Sequence, residues 1–153
     1  MSKTRISVIG YPRIGSLREL KFASEKYFAK EISQEELNKV AHELKLSNWH
    51  TQKNDGIDFI SSNDFSFYDG MLDTAFMLGA IPERYKKLRL SKLDTFFAMA
   101  RGYQEGGNDV TALPMKKWFN TNYHYIVPEF DDSTELALDA TKILEEFNEA
   151  KET

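Results

Sequence analysis

Cysteine is absent from the 153 residues. No disulfide framework can form, and thiolate zinc sites are excluded within this chain. Histidine is scarce, with only His42, His50 and His124. His42 and His50 stand eight positions apart on one expected helix, too far to close a shared metal site by themselves. Long apolar runs are also missing, so no membrane span is expected. There is no basic block, and the formal net charge is −4, which argues against nucleic acid as the main partner. The opening residues lack the apolar stretch of a secretory signal. Together with the missing cysteine, this fits a reducing, cytoplasmic setting. Internal repeats, low-complexity tracts and obvious linkers are absent as well.

What is present reads as globular. Apolar residues make up 41% and charged residues 29%, enough to fill a real core rather than leave the chain disordered. Strand and helix patterns alternate. Residues 5–10 read as a first strand, buried on both faces, and residues 17–29 as a helix. Leu20, Ala23, Tyr27 and Phe28 share one stripe of that helix. Ser33 with Glu36 makes a capping box for the next helix, which ends at Asp55-Gly56. Residues 57–60 read as a second strand, and a helix resumes near Tyr68 and closes at Gly79. Residues 81–85 read as a connection, and Ser91 caps a further helix. Gly102 to Asp109 reads as a mobile loop. Tyr123 to Val127 reads as a third strand, and Ile143, Leu144 and Phe147 mark a last amphipathic helix. Such alternation predicts a parallel sheet with helical crossovers.

Two stretches invite chemistry. The first is the joint between the opening strand and helix, Gly10-Tyr11-Pro12-Arg13-Ile14-Gly15-Ser16-Leu17-Arg18-Glu19-Leu20-Lys21. A helix start presents unpaired N–H groups and the positive end of the dipole, so it ordinarily attracts acidic residues. Arg13, Arg18 and Lys21 there make sense if something anionic binds. The competing reading is a set of solvated basic side chains with Glu19 as local partner. The second stretch is Lys116 to Tyr125, where two lysines precede an aromatic, amide-rich turn. A lysine supplies a point charge for a carboxylate or phosphate, and the amides and hydroxyls orient a ligand. The competing reading is an aromatic core strand beside a solvated lysine pair. Asp64, Asp69 and Asp73 are lesser candidates for acid–base work. Trp49 and Trp118 are candidates for stacking on a flat ring, although burial is the commoner fate of tryptophan. Met71, Met77 and Met99 read as core filler.

Gly10-Tyr11-Pro12-Arg13-Ile14-Gly15 with Arg18-Glu19-Leu20-Lys21 resembles the amino terminus of the cobalamin-independent methionine synthase family. Ser62-Asn63-Asp64-Phe65 with Tyr68-Asp69 and Leu72-Asp73, then Met99-Ala100-Arg101-Gly102, resemble further segments of it in the same order. Lys117-Trp118-Phe119-Asn120-Thr121-Asn122-Tyr123-His124-Tyr125, followed by Val127-Pro128-Glu129, does so too. The resemblance covers roughly residues 5–150. It implies a chain of two (β/α)8 barrels. The carboxyl-terminal barrel holds a catalytic zinc through histidine, glutamate and two cysteines and binds homocysteine. The amino-terminal barrel helps hold the polyglutamate tail of the folate substrate.

On that resemblance, residues 1–153 are a single incomplete amino-terminal barrel, about three βα units with extra helices. Arg18, Glu19, Leu20, Lys21 and Lys117 are the expected contacts for the tail of 5-methyltetrahydrofolate polyglutamate. No catalytic residue and no metal ligand is expected in this chain. Zinc belongs to the missing barrel, so the segment is expected to be inert by itself. The alternative is a non-catalytic binding module that self-associates as a homo-oligomer through exposed barrel edges.

Overall fold

The computed structural model describes residues 4–153. Among the described residues the fold is mixed α/β, with six helices and one two-stranded sheet. No helix among them is long and apolar enough to cross a membrane. The chain divides into two compact units, residues 1–67 with 141–153, and residues 68–140.

The first unit is built on α1 (Glu19–Phe28), α2 (Gln34–Asn54) and α6 (Thr141–Lys151). The capping box forms as its sequence requires. Ser33 Oγ accepts the Glu36 amide at 3.2 Å, and Glu36 Oε2 accepts the Ser33 amide at 2.8 Å. Leu20 of α1 packs with Ala41 and Leu44 of α2 and with Phe65 to form the core. Trp49 is buried on the same helix, its Nε1 donating to the Ser61 carbonyl at 3.0 Å. At the carboxyl end of α2, Gly56 takes the left-handed conformation that suits glycine.

The opening segment corrects an expectation. Residues 5–10 do not form a strand buried on both faces. Ser7 makes one parallel bridge to Phe59, supported by the Asp58 and Phe59 amides donating to the Ile6 carbonyl. Ile6 is 51% exposed and Ile9 fully so. A parallel strand is stable when both edges are paired and both faces covered, and within this unit it has only the Phe59 side.

The apolar stripe of α6 is corrected too. Leu144 and Phe147 are more than half exposed, while Glu146 is buried. Lys142 Nζ donates to Glu146 at 3.1 Å, to Asn63 Oδ1 at 2.9 Å and to the Phe65 carbonyl at 2.8 Å. Glu149 pairs with Lys45 and His42 of α2. Burial raises the Glu149 carboxyl, but these two partners outweigh it and hold the group below its usual range. Thus charge pairs tie α6 to its unit, and of the expected stripe Ile143 is half-buried while Leu144 and Phe147 face outward.

The second unit contains α3 (Gly70–Met77), α4 (Glu83–Lys86), α5 (Lys92–Arg101), β1 (Met115–Lys117) and β2 (His124–Ile126). The sheet is antiparallel, with Met115 opposite Ile126, Lys116 opposite Tyr125 and Lys117 opposite His124. The expected parallel sheet is therefore not what forms among the described residues. The strand expected at Tyr123–Val127 appears as β2. Its partner β1 carries no apolar alternation, and its three residues are exposed, so a period-two pattern is silent there. Helix α4 is too short for periodicity, and Pro82 starts it.

Leu72, Ala75, Tyr85, Phe96, Met99, Leu113 and Ile126 are buried in this unit. Tyr85 keeps its hydroxyl satisfied by donating to the Thr111 carbonyl at 2.7 Å. Ser91 caps α5 by accepting the Asp94 amide at 3.0 Å. The loop expected to be mobile is pinned at its base, where Tyr103 and Val110 exchange backbone hydrogen bonds of 2.8 and 2.9 Å.

Candidate functional site

The Arg18–Lys21 turn is shaped by what lies beneath it. Leu20 is buried in the first core, and its amide donates to the Ile14 carbonyl at 3.1 Å. That fixes the start of α1 and leaves Arg18 and Lys21 exposed on either side. Leu20 therefore anchors the turn, and its side chain is turned away from any ligand on the surface. Arg18 is the residue before α1 and has φ 64°, a left-handed conformation with no side-chain cap. For a residue with a Cβ that conformation costs roughly 1 kcal/mol. Lys21 Nζ lies 3.3 Å from Glu25, one helical turn on, and 5.2 Å from the Phe22 ring centre. An exposed pair of this type is worth little, so Lys21 can exchange Glu25 for an incoming carboxylate at small cost.

Glu19 has a different task. Its Oε2 accepts the Leu17 amide at 3.0 Å, closing the loop over Gly15. A Cβ on Gly15 would stand 2.0 Å from that same oxygen and 2.9 Å from Leu44, and Gly15 has φ 85°. Both space and conformation therefore demand glycine here. Gly15→Ala is expected to lower stability by about 2 kcal/mol. Chemical denaturation would show this as a lower midpoint with an unchanged slope. The preceding turn is held by Asp64, whose Oδ2 accepts the Tyr11 amide at 2.7 Å.

Lys117 belongs to the second unit. It ends β1 opposite His124 and is exposed. The four residues at the head of α1 are thus gathered in one turn of the first unit, and Lys117 lies on the β1–β2 hairpin of the second. Asp69, a lesser acid–base candidate, is buried and fully engaged. It accepts the Leu72 amide at 3.1 Å, the Ile126 amide at 3.0 Å and the Tyr123 hydroxyl. These bonds cap α3 and tie it to β2, a structural duty. Trp49 is removed from the stacking candidates by its burial, and Trp118 remains.

Further roles escaped the sequence. The Asp64–Tyr11 bond spans more than fifty residues, beyond the reach of any local pattern. Lys116 shares a face of the hairpin with Trp118 and Tyr125, which follows from strand alternation once β1 is known.

With this geometry in view, the family model for the cobalamin-independent synthase, N-terminal domain, matches residues 5–153. The chain belongs to the cobalamin-independent methionine synthase family. Within that family, a 5-methyltetrahydropteroyltriglutamate–homocysteine methyltransferase of Lactococcus lactis subsp. cremoris (strain MG1363) is 63% identical over 145 residues. The match covers 95% of this chain and 19% of that protein. Relatives of the same description from Streptococcus gordonii and Campylobacter jejuni subsp. doylei are 56% and 57% identical over 146 residues. They too are matched by 95% of this chain, over 20% and 19% of their own lengths. The chain spans about a fifth of the length of these relatives.

The zinc that the methionine synthase resemblance implies does not fit the residues present. Cysteine is absent, and among the described residues no three His, Cys, Asp or Glu side chains gather into a possible metal cluster.

Proposed function

We propose that this segment supplies binding charge to a methionine synthase, which moves a methyl group from 5-methyltetrahydropteroyltriglutamate to homocysteine. Arg18 and Lys21 at the head of α1 each take a carboxylate of the polyglutamate tail, and Lys117 on the hairpin takes another. Glu19 and Leu20 hold the turn that displays the first two. Residues 5–153 are the opening part of a (β/α)8 barrel within a longer chain, a reading supported by the parallel sense of the isolated Ser7–Phe59 bridge. By itself the segment makes no methionine, because the thiolate-activating group lies on polypeptide outside it.

The observation that carries this reading is the Arg18–Lys21 turn. Its buried leucine and strained arginine hold two cations at a helix start, where a positive end makes cations unwelcome unless an anion joins them. The relatives' descriptions name a triglutamate ligand, which is an anion of the required kind.

Calorimetric titration of the 153-residue chain with 5-methyltetrahydropteroyltriglutamate tests the proposal. Heat of binding is expected at low salt, with affinity falling as salt rises, since exposed ion pairs are screened within about 10 Å at 0.1 M. No heat from a well-folded sample overturns tail binding. Methionine formation by this chain alone would overturn its inertness.

A further inference from the structure

The tip of the β1–β2 hairpin carries aromatic surface that tail binding leaves unused. Trp118 is 45% exposed and Phe119 is 83% exposed. The Trp118 ring lies edge-to-face with Phe119 at 5.2 Å and with Tyr125 at 5.6 Å. The tip is locked. The Trp118 amide donates to the Tyr123 carbonyl at 2.8 Å, and the Thr121 amide and hydroxyl donate to the Trp118 carbonyl at 3.2 and 2.6 Å. Tyr123 is in turn anchored by its hydroxyl on Asp69. Phe119 is held at φ 51°, a left-handed conformation that a bulky residue adopts only under constraint. Rigid, exposed rings of this kind have lost their ordering entropy before any ligand arrives.

Charge says what kind of ring fits. Residues 110–128 contain no acidic side chain, while Lys116 and Lys117 lie beside the tip. Strand alternation sets Lys116 on the Trp118 and Tyr125 face, two residues and about 7 Å away. Lys117 lies on the opposite face with His124. A flat ring bearing a carboxylate a few ångströms from its edge matches the Trp118–Lys116 pair. In a pteroylglutamate the ring that directly carries the first glutamate is the aminobenzoyl ring.

We propose that Trp118 is a stacking platform for the aminobenzoyl ring of the folate, with Lys116 on the carboxylate of the glutamate next to it. This rests on the tail-binding reading and adds a ring site to it. Lys117, on the other face, serves carboxylates further along.

The experiment titrates the 153-residue chain with p-aminobenzoyl-triglutamate and with triglutamate, which differ only in the ring. Circular dichroism confirms that each variant is folded. The ring is expected to tighten binding roughly five- to a hundredfold, the range for a ring stacked on an aromatic side chain. Trp118→Ala is expected to erase that difference and leave triglutamate affinity unchanged. Trp118→Phe is expected to keep most of it. Lys116→Ala is expected to weaken both ligands while keeping a ring advantage. Equal affinity of the two ligands for the unaltered chain overturns the ring site and leaves the tail reading standing. An equal loss for both ligands in Trp118→Ala also overturns it. Binding of the aryl ligand with no binding of triglutamate overturns the tail reading instead. Failure of both ligands to bind overturns both.

Discussion

Asp69→Ala is expected to destabilise the second unit by about 3 kcal/mol or more. The carboxylate is buried and satisfies three donors at once, the amides of Leu72 and Ile126 and the hydroxyl of Tyr123. Alanine removes the cap of α3 and leaves a buried strand amide without its acceptor. Each loss costs about 1 kcal/mol or more, and leaving a group buried and unsatisfied is the more expensive part. Asp69→Asn keeps the shape and one acceptor oxygen, so it should recover part of the loss. The measurement is chemical denaturation followed by circular dichroism, with hydrogen exchange at the Ile126 amide as the local readout. Exchange there should accelerate well before global unfolding in the alanine variant. A variant with an unchanged midpoint would show that the three bonds do not hold α3 to the hairpin.

The double change Arg18→Ala with Lys21→Ala is expected to weaken binding of the triglutamyl folate about ten- to a hundredfold at low salt. Charge-assisted hydrogen bonds are worth roughly 1.5–3 kcal/mol when partly shielded and less when exposed. The affinity of the double variant should also respond less to salt, because fewer ion pairs remain to be screened. Lys26→Ala removes an exposed cation from the last turn of the same helix and serves as the control. It should leave affinity unchanged. Arg18→Gly separates charge from backbone. Glycine removes the cost of φ 64°, so the unfolding midpoint should stay level or rise while affinity falls. Unchanged affinity in the double variant would make these cations ordinary solvated surface.

Much of the helical frame was readable because its signals are local. Ser33 and Glu36 are three residues apart, Ser91 and Asp94 likewise, and each pair closes a cap within its own turn. Leu37, Val40, Ala41 and Leu44 recur with the period of one helix, which is all that is needed to find them; three are buried, and Val40 is partly buried against the core. The sheet was not readable in the same way. Residues 5–10 carry the apolar run of a buried strand, but burial depends on neighbours that an apolar run cannot supply. Met115-Lys116-Lys117 has no apolar alternation, so only its pairing with residues 124–126 reveals it as a strand. In α6 the pattern pointed to Leu144 and Phe147, whereas Lys45 and Lys142 draw in Glu146. The candidate site divides along the same line. The cations at Arg18, Lys21 and Lys117 were visible as charge in unexpected places. The duties of Glu19, Leu20 and Asp69 were not.

By itself, the order of residues determined the family, the limits of most helices and the lack of any thiolate for a metal. The family rests on the resemblance of several separated motifs in the same order, and composition and contacts within four residues are enough for the other two. The folded chain alone decided which face of α6 is buried, that Asp69 is a structural tie, and that Lys116 shares a face with Trp118. Each of these depends on partners brought together from different elements or across a strand pairing, and periodicity along one segment carries no information about what will lie against it.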